Sequence, residues 1–463
     1  MKKSFLLLLL FPFFANSQAF KENFQTDADF LKKLSDQILS SKAADNNLYH
    51  LTKKIGGRLA GSPEMGMAEN WGKKALEEAG ADEVLMQECM VPHWVRGGKD
   101  RAYISFTAPS GKKQNIEVAV LAIGNAIGSG PKGLKAPLIR IKNYDDLENN
   151  KDIIKGKIVF YDIPFEDTLV QTFRAYGKNA TYRVNGPSRA AKYGAIGVMV
   201  RSLSNSTDNH PHTGTLVYDE NYPKIPAVAV GLKDVEKIDS LFEQGLDLTG
   251  EILTNGKMLP DTIGHNVIGI LKGSEFPDQV ITVGGHLDSW DVAEGAHDDG
   301  AGIVQTIEIL RAYKAMGFRP KKTIHFVLFA NEENGTRGGK KYAEAARTSG
   351  QKYIFALESD AGGFTPRGFG FSVPDTSWNK IYTWKNLFEP YGGSEFSRGG
   401  GGSDIGPLAA LGTGLAGLHP DSQRYFDYHH AANDVFEAVN MRELKLGAIN
   451  MGGLLYLVDK YGL

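Results

Sequence analysis

The C-terminal part of the chain alternates apolar runs of strand character with helical patterns, and this order constrains the fold more than any other feature. The apolar runs lie at residues 280–284, 323–329 and 353–357, and helical patterns lie between them at 301–316 and 339–346. Such alternation predicts an α/β fold in which a mixed, mostly parallel sheet is flanked by helices. In folds of this kind, ligands gather at the carboxyl ends of the strands. We therefore expect functional side chains directly after the apolar runs.

Five short patches of acidic residues and histidines lie beside these and similar apolar runs. They are GGHLDSWD at 284–291, GAHDDG at 295–300, ANEEN at 330–334, ESDAGG at 358–363 and HHAAND at 429–434. Because each patch lies at a strand end, imidazoles and carboxylates from distant parts of the chain would meet at one edge of the sheet. Such a group of nitrogen and oxygen donors suits two metal ions and a water molecule.

The first two patches offer candidate ligands that also have structural alternatives. His286 and Asp288 are two residues apart, so both point to the same face of an extended strand. The imidazole can bind a metal while the carboxylate accepts its second ring N–H, although an HxD pair alone is weak evidence. Asp298 and Asp299 precede a predicted helix, where one carboxylate can serve as a cap. Two adjacent acids exceed what capping needs, and a carboxylate can bridge two cations.

The remaining patches follow the same arrangement. Glu332 and Glu333 come directly after an apolar run, and neighbouring side chains diverge in extended backbone, so one can bind metal while the other faces the water. A solvated pair in a surface loop is the plain alternative. Asp360 ends another run, and His430 belongs to HHAAND. Five such endings in one chain favour a metal site over coincidence.

Composition limits the remaining chemistry. Cys89 is the only cysteine, so the chain has neither an intramolecular disulfide nor a thiolate cage for a metal. Any metal must therefore be bound by nitrogen and oxygen. The formal net charge of -2 provides no electrostatic footprint for nucleic acid. We expect a small-molecule partner and no nucleic acid.

The amino terminus predicts export. Lys2 and Lys3 precede an apolar run at 5–14, which indicates a secretory signal peptide over residues 1–17. About ten apolar residues are too few to span a bilayer, which needs roughly twenty. We therefore expect no stable membrane insertion and a secreted or periplasmic protein. Residues 18–49 have helical spacing and are either a leading helix or a removable pro-segment.

The length of 463 residues exceeds one ordinary core and predicts two globular units. The hydrophobic residues, which make up 42% of the chain, are enough to form both cores. A stretch rich in glycine and proline at 124–137 breaks regular structure, and short strands separated by helices follow it. We predict a main domain made of residues 50–123 and 257–463, interrupted by a small α/β insert over residues 124–256. The second part of the main domain would carry the metal site.

The order of the five patches resembles that of the M28 family of zinc peptidases. This family includes bacterial leucyl aminopeptidases and glutamate carboxypeptidases, and its pattern is HxD, Asp, Glu-Glu, Asp, His. Within it, the resemblance extends to the carboxypeptidase Q branch, the plasma glutamate carboxypeptidases, over nearly all of the mature chain. The segments that carry it are GGHLDSWD, the HH pair, VPHW at 91–94, PHTG at 211–214 and PKIPA at 223–227. The insert is similar to the protease-associated domain of that branch.

The resemblance implies a zinc-dependent exopeptidase, of carboxypeptidase or dipeptidase type, with two Zn²⁺ per chain. The ligands that it implies are His286 and Asp360 on one ion, Glu333 and His430 on the other, and Asp298 bridging both. Asp288 would orient the first histidine. Glu332 would act as general base, taking a proton from the activated water and returning it to the leaving amine.

Two further histidines allow alternative roles. His429 is an alternative ligand to His430, although its spacing to Asp434 fits less well. His297 stands beside the bridging acid and is either a spectator or a substrate contact.

The resemblance also implies small peptide substrates, and we expect dipeptides with free termini. Our hypothesis is that the loop at 397–404, SRGGGGSD, offers backbone N–H groups around Ser403 and the guanidinium of Arg398 to the peptide carboxylate. Arg424 is a second candidate for this contact. His212, in the PHTG segment, would reach over the cleft toward the substrate. A mobile surface loop and packing within the insert are the structural alternatives.

Three other functions are compatible with the sequence. The chain can be an aminopeptidase that acts on longer peptides, or an acyl-transferring relative of the glutaminyl cyclases with a single zinc ion. It can also be a binding module of the same fold that lacks metal and activity. A homodimer is compatible with the sequence as well.

Overall fold

The computed structural model describes residues 11–463, with side chains from residue 23 onward. Residues 1–10 of the predicted signal peptide lie outside this part of the chain. Among the described residues, no helix is both long enough and apolar enough to cross a membrane.

The strands belong to two mixed sheets. Within the described residues they are, in chain order, β1 (Glu83–Val95), β2 (Arg101–Thr107), β3 (Lys113–Val118), β4 (Val120–Ala122), β5 (Leu134–Ile141), β6 (Ile158–Tyr161), β7 (Gly197–Arg201), β8 (Ala227–Val230), β9 (Thr249–Leu253), β10 (Lys257–Leu271), β11 (Phe276–His286), β12 (Lys322–Phe329), β13 (Lys352–Glu358), β14 (Pro366–Ser372), β15 (Glu395–Arg398) and β16 (Gly414–Pro420).

The α-helices cover the faces of these sheets. In the described part of the chain they are α1 (Phe11–Ser40), α2 (Ala43–Tyr49), α3 (Pro63–Ala79), α4 (Tyr144–Asn149), α5 (Lys151–Ile154), α6 (Thr172–Val184), α7 (Gly186–Ala191), α8 (Leu232–Glu243), α9 (Ala301–Ala315), α10 (Arg337–Thr348), α11 (Asp375–Tyr382), α12 (Lys385–Phe388), α13 (Tyr425–Tyr428) and α14 (Met441–Tyr461).

The first sheet carries the C-terminal patches and has the strand order β1-β10-β12-β11-β13-β16-β14-β15. Its central strands β12, β11, β13 and β16 run parallel to one another, and antiparallel pairs lie on both sides. Every residue of β12 is buried, as expected for a strand with helices on both faces. Helices α3, α9 and α14 pack on one face and α10 on the other. The predicted mixed sheet flanked by helices is confirmed.

The leading segment is part of the same core. Residues 18–49 were expected to be helical, and they lie within α1 and α2. Leu31, Leu34 and Ile38 are fully buried on the face that packs against α14. Burial of these side chains makes the segment a structural element of the main domain.

The second sheet has the order β3-β2-β9-β5-β6-β7-β8-β4. All its strands lie between β1 and β10 in the chain, so this sheet is an insertion, which we call the inserted unit (residues 101–253). The predicted boundary at residue 124 differs from this, because β2, β3 and β4 already belong to the second sheet. Arg101 pairs with Leu253, so the two ends of the unit lie side by side. The glycine-rich stretch 124–137 connects β4 with β5 inside the unit.

Candidate metal centre

The five predicted ligands lie at one edge of the first sheet, at or near the ends of the elements that position them. His286 is the last residue of β11, Glu333 follows β12, and Asp360 follows β13. Asp298 lies in a π-helical turn that leads into α9, and His430 follows α13. Because β11, β12 and β13 run parallel, their carboxyl ends bring these side chains together.

Asp298 lies between two pairs, each made of a histidine and a carboxylate. Its Oδ1 is 3.2 Å from His286 Nε2, and its Oδ2 is 3.2 Å from His430 Nε2. On the first side, Asp360 Oδ1 is 3.3 Å from His286 Nε2. On the second side, Glu333 Oε2 is 3.0 Å from His430 Nε2. We call these five residues the Asp298 cluster.

Both imidazoles of the cluster have their other ring nitrogen beside a backbone carbonyl. His286 Nδ1 is 3.0 Å from the carbonyl oxygen of Asp288, and His430 Nδ1 is 3.2 Å from that of Thr213. A ring N–H that donates to a carbonyl leaves the lone pair of Nε2 free. With a metal ion between it and the carboxylates, each Nε2 would therefore offer its lone pair as a ligand.

The electrostatics of the Asp298 cluster favour a cation. Burial alone would lower the pKa of His430, but the carboxylates of Glu333 and Asp298 raise this pKa to about 10. Burial raises the pKa of Glu333 to about 7, and the charge on Asp298 adds to this effect. The carboxylates thus stabilise positive charge on their neighbours, and a bound metal ion would meet the same attraction.

The donor set fits zinc. The ligand atoms of His286, Asp298 and Glu333 lie within 4.8 Å of one another, and so do those of overlapping groups that include Asp360 or His430. In the described part of the chain, Glu333 Oε1 is buried without a hydrogen-bond partner. Buried carboxylate oxygens are normally paired or bound to metal. Imidazole nitrogens and carboxylate oxygens are ligands that zinc accepts.

Asp288 contacts His286 through its backbone carbonyl oxygen, and it contacts the backbone of Glu332 and Glu333 through its carboxylate. The sequence predicted that this carboxylate accepts the ring N–H of His286, but its Oδ1 is 3.6 Å from Nδ1, whereas the Asp288 carbonyl oxygen is 3.0 Å away. The two carboxylate oxygens instead accept the backbone N–H groups of Glu332 at 2.9 Å and Glu333 at 3.3 Å. The strand ends at His286, so the two residues no longer share a strand face.

Glu332 lies beside the Asp298 cluster with its backbone fixed by Asp288. Burial raises the pKa of Glu332 to about 8, and the charges of Asp360, Glu333 and Asp288 act in the same direction. A cation bound nearby would lower this pKa again. The carboxyl group is therefore placed to exchange a proton near neutral pH.

Two carboxylates position the backbone of the cluster. The carboxylate oxygens of Asp434 accept the N–H groups of His297 at 2.7 Å and Asp298 at 3.1 Å. Asp299 accepts the N–H of His286 at 3.1 Å. A Cβ on Gly285 would lie 2.2 Å from Asp299 Oδ2, so the glycine before His286 permits this contact. The ligand-bearing turn and the strand end are thus fixed to each other.

Arg58 has a role that sequence reasoning missed. Its guanidinium is fully buried and donates to the carbonyl oxygens of Leu287 at 2.5 Å, Glu294 at 2.8 Å and Gly295 at 3.1 Å. Burial lowers the pKa of Arg58 to about 10, and the nearby carboxylates, Asp288 first among them, oppose that shift. Arg58 therefore fixes the loop that links β11 to the turn carrying Asp298. The sequence showed it only as the arginine of GGRLAG, with no local sign of a partner.

The two alternative histidines occupy different positions. His297 is buried, its Nδ1 accepts the N–H of Gly363 at 3.1 Å, and its ring stacks on Phe364 at 4.2 Å. These contacts correspond to the spectator alternative. His429 stacks on the ring of His430 at 3.5 Å, and its Nε2 is 3.8 Å from Asp298 Oδ2. His430 is closer to the carboxylates and is the better placed ligand.

Two of the residues predicted to bind substrate lie elsewhere. Arg398 pairs with Asp375 at 2.6 Å and lies over the ring of Trp378. Asp375 follows β14, which runs antiparallel to β16, so this pair lies away from the carboxyl ends that hold the metal centre. His212 was expected to reach over the cleft toward the substrate. It is instead buried beneath the HH pair, and its Nδ1 is 2.7 Å from the carbonyl oxygen of His429.

The other two residues predicted to bind substrate are exposed at the surface. Arg424 is 52% exposed, pairs with Glu443 at 3.1 Å and lies over the ring of Phe364, which stacks on His297. Ser403 is exposed. The backbone N–H groups that follow it, those of Asp404 and Ile405, donate to the Glu358 carboxylate at 3.1 and 2.9 Å. These groups are therefore engaged within the protein.

Known proteins share this chain's sequence over most of its length. The family model of Peptidase family M28 matches residues 266–451, which include the whole Asp298 cluster. Carboxypeptidase Q of Mus musculus is 30% identical over 408 residues, which cover 88% of this chain and 84% of the relative. Carboxypeptidase Q of Xenopus laevis is 31% identical over 409 residues, with coverage of 88% and 84%.

Solved structures share the fold. The crystal structure of a peptidase M28 precursor from Shewanella amazonensis superposes with a TM-score of 0.88 and 30% identity, covering 94% of this chain and 97% of the other. A zinc aminopeptidase from Bacillus subtilis has a TM-score of 0.63 at 21% identity, covering 90% of this chain and 94% of the other. On the strength of the relatives at 30% identity or more, the chain belongs to peptidase family M28.

Proposed function

We propose that this protein uses two zinc ions, bound by the Asp298 cluster, to hydrolyse small peptides with free termini. Membership of family M28 accounts for the reaction class, that of a zinc metallopeptidase of exopeptidase type. The number of ions, the ligands and the general base are supported by the geometry of the cluster. The relatives named carboxypeptidase Q support the choice of substrate class.

The position of Asp298 carries the proposal. One of its carboxylate oxygens faces His286 and the other faces His430, each at 3.2 Å. A carboxylate that offers one oxygen to each of two histidine–carboxylate pairs suits a bridging ligand. His286 and Asp360 would then hold one zinc ion, and Glu333 and His430 the other.

Glu332 is the residue that would move the proton. When bound, the two ions would supply a water of lowered pKa and polarise the scissile carbonyl. The carboxylate of Glu332 would accept a proton from the attacking water and return it to the amine of the leaving residue. Asp288 fixes the backbone of Glu332 through the 2.9 Å hydrogen bond, so that the base keeps its position during the cycle.

The preference for dipeptides is part of the proposal, and the carboxypeptidase names of the relatives support action at a free carboxyl terminus. Proteins named carboxypeptidase share about a third of the sequence, whereas the aminopeptidase shares only the fold. In a dipeptide, the bond next to the amino terminus is also the bond next to the carboxyl terminus. Arg424 and Ser403 remain our candidates for contact with the peptide carboxylate, because both are exposed.

We also propose that the protein is exported, and we propose a type for its inserted unit. The apolar run at 5–14 supports export after removal of a signal peptide. We assign the inserted unit to the protease-associated type on the basis of its sequence resemblance. Association of two copies is compatible with these features.

Glu332→Gln tests the general base. Glu437→Gln is the matched control, because Glu437 is an exposed glutamate that pairs with Lys53. We expect Glu332→Gln to lower kcat by about 10²–10⁴-fold, the usual contribution of general acid–base catalysis, with unchanged zinc content. The control keeps both kcat and zinc. A Glu332→Gln protein that retains zinc and wild-type kcat would exclude Glu332 as the base.

A substrate mixture separates the remaining functions. The zinc-loaded protein is incubated with free, N-blocked and C-amidated dipeptides and a peptide with N-terminal glutamine, and products are identified by mass spectrometry. We expect cleavage of the free dipeptides only. Cleavage of the C-amidated dipeptides as well would indicate an aminopeptidase, and loss of ammonia from the glutamine peptide would indicate a cyclase. A protein that neither retains zinc nor cleaves any peptide would be a binding module.

A further inference from the structure

We propose that two segments of the inserted unit position Glu333 and His430, the half of the Asp298 cluster that would hold one of the two zinc ions. His286, in the other half, is held by residues of the main domain. This inference rests on the proposed two-zinc function. It makes one metal site dependent on the docking of the inserted unit and leaves the other independent of it.

The PHTG segment of the inserted unit contacts His430 directly. The carbonyl oxygen of Thr213 lies 3.2 Å from His430 Nδ1, and the N–H of Thr213 donates to the carbonyl oxygen of His430 at 3.0 Å. His430 has a φ of 62°, a left-handed conformation that non-glycine residues adopt only when their surroundings hold them there. Thr213 thus binds both the ring and the backbone of this residue.

His212 binds the preceding residue of the HH pair. Its Nδ1 lies 2.7 Å from the carbonyl oxygen of His429, and only 1% of the residue is exposed. A neutral imidazole that donates through Nδ1 satisfies this buried carbonyl. Together with Thr213, His212 therefore fixes the turn that presents His430.

The PHTG segment is itself anchored in the second sheet. The N–H of His212 donates to Ser202 Oγ at 2.9 Å, directly after β7. The hydroxyl of Thr213 donates to the carbonyl oxygen of Ala122, in β4, at 2.8 Å. The guanidinium of Arg183, in α6, donates to the Thr213 carbonyl at 3.3 Å and lies 3.4 Å from His430 Nδ1. The position of His430 is thus tied to three elements of the inserted unit.

A second connection reaches the turn that carries Glu333. Asn331 Nδ2 donates to Asn334 Oδ1 at 2.6 Å, and Asn334 Nδ2 donates to Asn125 Oδ1 at 3.2 Å. Asn125 belongs to the inserted unit, and its Nδ2 donates to Thr215 Oγ1 at 3.0 Å. This row of asparagine side chains joins the turn around Glu333 to the residues that follow the PHTG segment.

The other half of the cluster is supported differently. The ring of His286 is held by the carbonyl oxygen of Asp288, and its backbone N–H by the carboxylate of Asp299. Both partners lie in the main domain, on the loop and turn that Arg58 fixes. Partners that orient a ligating histidine typically change metal affinity by about 10–100-fold when they are altered. The two halves should therefore respond differently to changes in the inserted unit.

Zinc binding to the metal-free full-length protein tests the inference. Competition with a chromogenic chelator resolves two binding steps, and the variants Glu333→Gln and Asp360→Asn each identify a step by removing it. We expect His212→Phe to weaken the step that Glu333→Gln removes by about tenfold or more, and to leave the other step within about twofold. His325→Phe is the matched control, because His325 is a buried histidine of β12 whose Nδ1 contacts Tyr342. It should leave both steps unchanged.

Asn125→Gly supplies an independent variant if His212→Phe does not fold. Asn125 has a φ of 68°, which glycine adopts without strain, so this change removes the side chain and keeps the turn. We expect weakening of the same single step. Equal weakening of both steps, or no change in either, would overturn the inference while leaving the two-zinc function intact. A wild-type protein with fewer than two zinc steps would overturn both.

Discussion

Four charged side chains near the Asp298 cluster bind backbone groups. Asp288, Asp299 and Asp434 accept N–H groups from the segments that carry the predicted ligands, and Arg58 donates to carbonyl oxygens of the intervening loop. A buried charge is stabilised when its hydrogen bonds are complete, and it fixes the groups that complete them. At the residue scale, the geometry of the centre therefore depends on side chains that need not touch a metal.

Arg58→Met should destabilise the protein strongly. The change leaves two buried carbonyl oxygens and one part-buried carbonyl oxygen without their donor. Each unpaired buried group costs about 1–3 kcal/mol, so we expect a loss of about 2 kcal/mol or more. The measurement is the free energy of unfolding in urea, with zinc held constant. Arg367→Met is the control, because Arg367 is 52% exposed and pairs with Asp421 at the surface. Equal stability of the two variants would contradict the role of Arg58.

At the element scale, local signals predict the start of a helix better than its buried face. Ser62 caps α3 by accepting the N–H of Met65 at 3.1 Å, and Pro63 occupies the first turn. The spacing of Met67, Trp71, Ala75 and Leu76 predicts one buried face. Met67 is 49% exposed and Trp71 is half-buried, whereas the other two are buried. The buried face is decided by where β10 and α9 lie, which the spacing within the helix does not record.

Ser62→Ala should lower the free energy of unfolding by about 1 kcal/mol, because it removes an N-cap acceptor. Ser62→Asp restores an acceptor and should regain most of the loss. Thermal and urea unfolding measure the effect, and Ser110→Ala, at an exposed turn, is the control. We expect kcat on a dipeptide to stay unchanged, since Ser62 binds only the helix. An unaltered stability of Ser62→Ala would mean that the cap is dispensable.

At the scale of the whole molecule, the candidate metal centre lies at the edge of the first sheet, where loops of the inserted unit contact it. Strands β11, β12 and β13 of the first sheet deliver three of the five proposed ligands, His286, Glu333 and Asp360. The inserted unit contacts the turns of Glu333 and His430. The carboxylates of the cluster are buried close together, which is unfavourable unless a cation lies between them. Zinc should therefore contribute to the stability of the fold as well as to catalysis.

Removal of zinc with a chelator should lower Tm, and added zinc should restore it. A ligand that binds only the folded state stabilises it by about 2.7 kcal/mol when its free concentration is 100-fold above Kd. The shift in Tm with zinc concentration is measured by calorimetry. Glu332→Gln should keep the full shift, whereas Asp298→Asn should lose most of it. An unchanged Tm of the wild-type protein after chelation would contradict the proposed centre.

Local sequence patterns are enough to propose the candidate ligands and the edge of the sheet at which they gather. These follow from local patterns: apolar runs form buried strands, and acids or histidines placed directly after them lie at the carboxyl ends. The tertiary structure alone decided which groups hold those donors, that Arg398 lies away from the centre, and that His212 is buried beneath the HH pair. Arg58, Thr213 and Asn125 meet their partners only through the packing of distant segments. Periodicity reports the environment of a residue along its own element, whereas such contacts depend on how the main domain and the inserted unit fold against each other.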